Sequence, residues 1–235
     1  MLWSQGQGWD NHPMLWIAQF AISGGEARQE SPWIGAYPDT GRSEDASDLY
    51  VLVTPATAGS EEFCRELKDA IGEVYHREKV SLTGGLLRAI ENAHADLQEW
   101  NRRSLRDQKV TAGVSCLAAA EDGRMRLAQV APSAAVHYRP GRVEVLRPAL
   151  PEASEPLGLY DDLRPEFSAV TLEPGDRLLF VSPGLLDAVS GDELRAALSL
   201  GEEEVLPELY RRVRGAPDCA ALLIARLDDE ETSAA

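Results

Sequence analysis

Three glycine turns punctuate the second half of this chain and constrain its fold more than any other feature. Asp122-Gly123, Pro140-Gly141 and Pro174-Gly175 each stand between short apolar runs. Asp-Gly suits a tight hairpin, whose central residues need positive φ, and Pro before Gly presets the first turn residue. The runs around them, residues 110–120, 125–130, 134–138, 142–146, 167–172 and 178–182, are predicted strands. The first half reads differently. Residues 15–22 and 49–53 are strand candidates, the second apolar on both faces and therefore buried. Ser60 then offers a helix N-cap, with Glu61 and Glu62 in the first turn, where the helix dipole favours negative charge. Phe63, Leu67, Ala70, Ile71 and Val74 follow at helical spacing. Ser81 caps a second helix with the stripe Leu82, Leu86, Ile90, Ala93, Leu97 and Trp100, and the two helices are predicted to pair antiparallel. Residues 190–198 and 202–213 read as helices and 220–227 as a last strand. This order predicts an α+β protein, two antiparallel sheets with helices packed outside.

Composition narrows the function classes. A chain of 235 residues can bury one large core. Its net charge of −16 argues against a nucleic-acid partner, because the phosphate backbone repels it, and otherwise describes a solvated acidic surface. Cys64, Cys116 and Cys219 lie far apart without Cys-x-x-Cys spacing, which predicts reduced, buried thiols in a cytoplasmic protein. With four scattered histidines they make no metal cluster. No apolar run approaches the roughly 18 to 20 residues that span a bilayer. No Lys or Arg precedes Arg28, so no signal-peptide start is expected. Residues 38–47 read as a loop. The expected organisation is a single domain over residues 1–227 and an acidic, disordered tail over 228–235.

Four stretches carry a more specific signal when taken in order. They are Gly25-Glu26-Ala27-Arg28, Leu49-Tyr50-Val51-Leu52-Val53, the helix beginning Leu82-Thr83-Gly84-Gly85, and Glu173-Pro174-Gly175-Asp176-Arg177-Leu178-Leu179-Phe180. Over about residues 14 to 227 this pattern resembles the protein phosphatase 2C family, the PPM-type metal-dependent serine/threonine phosphatases. The resemblance implies an α-β-β-α sandwich, two stacked antiparallel sheets flanked by helix pairs. It also implies a chemistry in which aspartates hold two divalent cations, Mg or Mn, that share a water, lower its pKa and aim it at phosphorus. Hard cations of this kind demand oxygen ligands, mostly carboxylates.

Carried over residue by residue, that ligand set is degenerate. The family's R-x-x-N-x-D places Trp33 at the acid. Its strand-ending D-G becomes Thr54-Pro55, and slippage cannot restore the aspartate because none lies between Leu49 and Ser60. G-D-S-R becomes Ala131-Pro132-Ser133-Ala134, S-D-G becomes Ser182-Pro183-Gly184, and the final D-N keeps Asp218 alone. Asp187, past Pro183, is expected at the start of a helix and is not a ligand. Asp218 is either a surviving ligand or a polar residue opening the last strand. Trp33 either fills the space that ions would take or presents a binding aromatic. Arg28 either binds a phosphate or pairs with surface acids. His76 and His94 are expected to be satisfied surface groups, and Ser133, Ser182 and Cys116 lack a local base that would make them nucleophiles.

The expectation is a pseudophosphatase with no catalytic residue, no cofactor and no metal. It would be a regulatory or protein-binding module in serine/threonine phosphorylation signalling, of the kind found in bacteria, its partner a kinase or phosphoprotein. The alternative is a divergent phosphatase with a residual or relocated metal site, for which Asp39, Glu44, Asp45 and Asp48 are the available acids.

Overall fold

The structure, a computed structural model, describes residues 3–7, 15–28, 30–39, 47–77, 80–105, 108–120, 122–149 and 155–227. The tail over 228–235 and most of the predicted 38–47 loop lie outside them. The chain forms two compact units, one of Met1–Ser31, Ala135–Leu146 and Thr171–Ala235, the other of Pro32–Ala134 and Arg147–Val170.

The first unit is a seven-stranded antiparallel sheet. It contains β1 (Trp3–Gln7), β2 (Leu15–Ser23), β3 (Glu26–Arg28), β8 (Ala134–Arg139), β9 (Arg142–Leu146), β11 (Arg177–Val181) and β12 (Cys219–Arg226). The order is β1-β2-β12-β11-β8-β9, and β3 also pairs with β2. Strands β11 and β12 are buried on both faces, which is why their sequences, RLLFV and CAALLIAR, lack polar alternation. Three helices complete this unit: α3 (Pro183–Ala188), α4 (Gly191–Leu198) and α5 (Glu202–Val213). Ser190 and Glu193 form a reciprocal capping box at the start of α4. Helix α5 packs on β2 and β12, where Tyr210 meets Phe20 edge-on at 5.8 Å. Buried Arg177 ties β11 to the helices: it donates to the Leu198 carbonyl, pairs with Glu202 at 2.8 Å and lies 5.4 Å from the Tyr138 ring centroid.

The second unit is a five-stranded antiparallel sheet ordered β10-β7-β6-β5-β4. Its strands are β4 (Ile34–Tyr37), β5 (Ser47–Pro55), β6 (Ala112–Ala120), β7 (Met125–Val130) and β10 (Glu166–Val170). Helices α1 (Glu61–Arg77) and α2 (Leu82–Arg103) pack against this sheet and against each other. Leu67, Ile71, Leu86, Ile90 and Leu97 form the buried seam, and each such side chain contributes roughly 1.5–3 kcal/mol by leaving water. Ser81 caps α2 as expected, accepting from the Gly84 N–H at 3.2 Å.

Several expectations are corrected. Ser60 precedes α1 but does not spend its hydroxyl on capping; it bonds to Thr57 (2.7 Å) and accepts from the Thr111 N–H (3.2 Å). Trp100 ends the predicted apolar stripe yet is half exposed, stacked on Phe63 at 4.8 Å. His94 is buried, not a surface group. Its Nδ1 accepts from the Gly158 N–H at 3.0 Å, and burial lowers its pKa. That bond joins Asn101, which donates to the Val110 and Gly158 carbonyls, in fixing the segment after β9 to α2. Asp187 lies in the last turn of α3, not at a helix start, because Pro183 already occupies the first position. The three cysteines are free and buried as expected. Among the described residues no helix is long and apolar enough to cross a membrane.

Candidate functional site

The six positions carried over from the metal motifs fall into two constellations, one in each unit. In the five-stranded unit, the β5–β6 register runs to the end of β5, setting Thr54 opposite Gly113 and Pro55 opposite Ala112. Proline is tolerated there because it is the last strand residue. Trp33 extends the neighbouring pairing, its carbonyl accepting from the Val53 N–H at 2.9 Å, and it is 1% exposed. Thr54 is fully buried, and its Oγ1 has no hydrogen-bond partner among the described residues. Pro132 lies directly over Gly113. A Cβ built on that glycine would meet Pro132 Cδ, Pro132 N and Ser133 N, each at 2.6 Å. The glycine is therefore required by the turn that lies on it. Ser133 bonds to the Ser115 hydroxyl on β6 at 2.9 Å, so the serine is held as a buried structural group. Trp33, Thr54, Pro55 and Pro132 thus all stand around one end of β5 and β6.

In the seven-stranded unit, Pro183 is the first residue of α3. That position needs no N–H and suits proline's fixed φ. Ser182 precedes it, and its hydroxyl accepts from the Ala220 N–H at 2.9 Å instead of capping the helix. Gly184 approaches the next strand so closely that a Cβ would lie 2.5 Å from the Asp218 carbonyl oxygen. The Asp218 carboxylate accepts from the Gly24 N–H at 3.0 Å, while Gly25 donates to the Pro217 carbonyl at 2.7 Å. Gly24 and Gly25 both have positive φ, 62° and 78°. Asp218 therefore latches the β2–β3 turn to the start of β12. Burial, with the Asp218 and Asp187 charges, pushes the neighbouring Cys219 thiol up to about 11, so it stays protonated at neutral pH.

The remaining candidates are also engaged. Arg28 pairs with Glu26 at 3.5 Å and donates to the Ser23 carbonyl, consistent with the surface-pairing alternative. Of the acids offered for a relocated site, Asp48 accepts from the Asp39 N–H (3.0 Å) and from the Tyr50 hydroxyl (3.2 Å). Glu44 and Asp45 lie outside the described residues. No group of three or more His, Cys, Asp or Glu placed to hold a metal occurs among the described residues.

Asp176, which the sequence places in the Pro174-Gly175 turn, does more than close it. It is 1% exposed and receives both Nε and Nη2 of Arg139, at 3.0 and 2.6 Å, together with the Glu173 N–H at 2.9 Å. His137 stands 3.5 Å away. Burial alone would raise the Asp176 pKa, but the Arg139 and Glu173 hydrogen bonds outweigh it and lower the pKa overall. The signal for this cluster is a Pro-Gly-Asp turn with an arginine nearby in the chain, Arg139 on β8, and only the order of β8 beside β11 in the sheet reveals the pairing.

Two antiparallel sheets, each with its own helices, are the architecture of a PPM-type phosphatase domain. Solved bacterial serine/threonine phosphatases share the fold. The S. agalactiae enzyme matches with a TM-score of 0.74 and 15% identity, over 91% of this chain and 100% of that one. The Staphylococcus aureus serine/threonine phosphatase matches at 0.74 and 16%, over 95% and 99%. PppA of Pseudomonas aeruginosa, described as a key regulatory component of T6SS, matches at 0.67 and 20%, over 90% and 97%. No curated protein sequence matches the chain. The family model of stage II sporulation protein E (SpoIIE) matches residues 52–231, and the chain belongs to that family.

Proposed function

We propose that this chain is a catalytically inactive PPM-type phosphatase domain that serves as a regulatory, protein-binding module in cytoplasmic serine/threonine phosphorylation signalling. One observation supports it most. At the end of β5, where the resemblance calls for a carboxylate bridging two cations, a neutral threonine hydroxyl is fully buried with no partner among the described residues, and the residue after it is proline. Two hard dications need several anionic oxygens to compensate for lost hydration. The positions in question offer one hydroxyl, three prolines, a tryptophan and one carboxylate, Asp218, already committed to Gly24. That donor set does not fit a two-cation centre. The regulatory reading has a precedent in fold: PppA, similar in structure, is described as a regulatory component. A kinase or phosphoprotein is the partner class that this context suggests.

The test is turnover. Purified protein with Mn and a generic aryl phosphate should release no more product than a metal-only blank. Metal-dependent turnover abolished by a chelator would rule the proposal out and revive a divergent phosphatase.

A further inference from the structure

We propose that two copies of this chain associate edge to edge through β9, continuing the seven-stranded sheet across a two-fold axis at Val143. β9 ends its sheet, and β8 is its strand partner among the described residues. The two strands are joined by the two-residue turn Pro140-Gly141, with Arg139 opposite Arg142. The closing pair of such a hairpin exchanges hydrogen bonds, and bonded and non-bonded pairs alternate from there. Arg142, Glu144 and Leu146 therefore turn their N–H and C=O groups toward β8, while Val143 and Val145 turn theirs outward. Among the described residues no other backbone group bonds those of Val143 or Val145.

Three antiparallel registers allow the outward groups of one copy to meet those of a second. An axis at Glu144 sets the two Glu144 carboxylates against each other, which is repulsive. An axis at Val145 sets Glu144 against Leu146. An axis at Val143 sets Arg142 against Glu144 on both sides, with the two Val143 side chains facing each other. In each copy Arg142 and Glu144 are already paired at 2.8 Å, with side chains 76% and 48% exposed, so the four charges alternate in sign around the axis. The same register places Val145, itself 43% exposed, opposite Gly141 of the second copy. A Cβ at Gly141 would meet nothing within 4 Å, so there is room for it. Charges on an edge strand ordinarily prevent such pairing; here their alternation makes the edge self-complementary in one register. A contact of five residues a side is small, so the dimer is reversible, with a dissociation constant on the order of 10 µM.

Sedimentation equilibrium of the full chain tests this. The wild type should show a monomer–dimer equilibrium. Arg142→Glu and Glu144→Arg should each weaken it at least about tenfold. A one-to-one mixture of those two variants should dimerise again, because each new side chain then faces the opposite sign. Val143→Pro removes an outward N–H without touching the pairing to β8, and should also abolish the dimer. Circular dichroism confirms that each variant stays folded. The proposal is overturned by a wild type that remains monomeric near 1 mM (about a hundredfold above the expected constant). It is equally overturned by single variants that dimerise as the wild type does, or by a mixture no more dimeric than its parts.

Discussion

Asp176 in the seven-stranded unit and Thr54 in the five-stranded unit are almost equally hidden, at 1% and 0% exposure, and they are treated in opposite ways. Asp176 keeps a charge and has a bidentate arginine, a backbone N–H and a nearby histidine around it. Thr54 carries no charge where the resemblance expects one and has no hydrogen-bond partner among the described residues. A buried carboxylate is tolerated only with such a set of donors, whereas a buried hydroxyl costs less and can be left alone. The contrast teaches that a structural carboxylate in this fold comes with its own donors: Asp176 and Asp218 each fasten two segments of the scaffold, whereas Thr54 carries no charge and fastens nothing among the described residues.

The largest effect should come from the fastened side. Asp176→Ala removes the acceptor of the half-exposed Arg139 and of the Glu173 N–H and should destabilise by about 3 kcal/mol in chemical denaturation. The folded Asp176 pKa lies below its ordinary value, so its contribution is fully present above about pH 3.9 and lost as pH falls through the folded value. Wild-type stability should therefore drop more steeply below pH 4 than that of the alanine variant; equal slopes would remove Asp176 from the account. Gly184→Ala comes next. Its Cβ would sit 2.5 Å from the Asp218 carbonyl oxygen, a backbone atom that cannot swing away, and the expected loss is about 2 kcal/mol in melting experiments. If that variant melts like the wild type, the α3–β12 contact is looser than described.

Thr54→Val should go the other way. It removes a buried hydroxyl that has no partner among the described residues, at nearly constant volume, and should stabilise by roughly 1 kcal/mol. Destabilisation would show that the hydroxyl has a partner in solution and would break the comparison with Asp176. The smallest effect belongs to Asp218→Asn, which keeps an acceptor for the Gly24 N–H and should change stability by less than about 0.5 kcal/mol, whereas Asp218→Ala should cost about 1 kcal/mol. A large loss with asparagine would mean that the charge itself matters at that position.

Much of the architecture was readable from local chemistry. The Asp122-Gly123 turn, with Gly123 at φ 81°, and the Ser81 cap follow from residue types whose preferences tertiary packing rarely overrides. Strands β3 and β4, three and four residues long, were not legible because such short runs carry no period. Ser60 stands at the N-cap position, its carbonyl accepting from the Cys64 N–H, but its hydroxyl and the His94 ring depart from expectation for a shared reason: their partners, Thr111 and Gly158, are 51 and 64 residues away, and only the fold brings them within bonding distance. The same limit applies to the site. Its residue types stand in the sequence, but the Gly113–Pro132 and Gly184–Asp218 approaches that place them are long-range contacts.

Calorimetric titration of Mn into the purified full chain tests the central claim most directly. The account predicts no saturable heat at concentrations up to the millimolar range, because one committed carboxylate and a buried hydroxyl cannot replace the hydration of two dications. Saturable binding of two ions per chain, lost in Asp218→Ala, would contradict it.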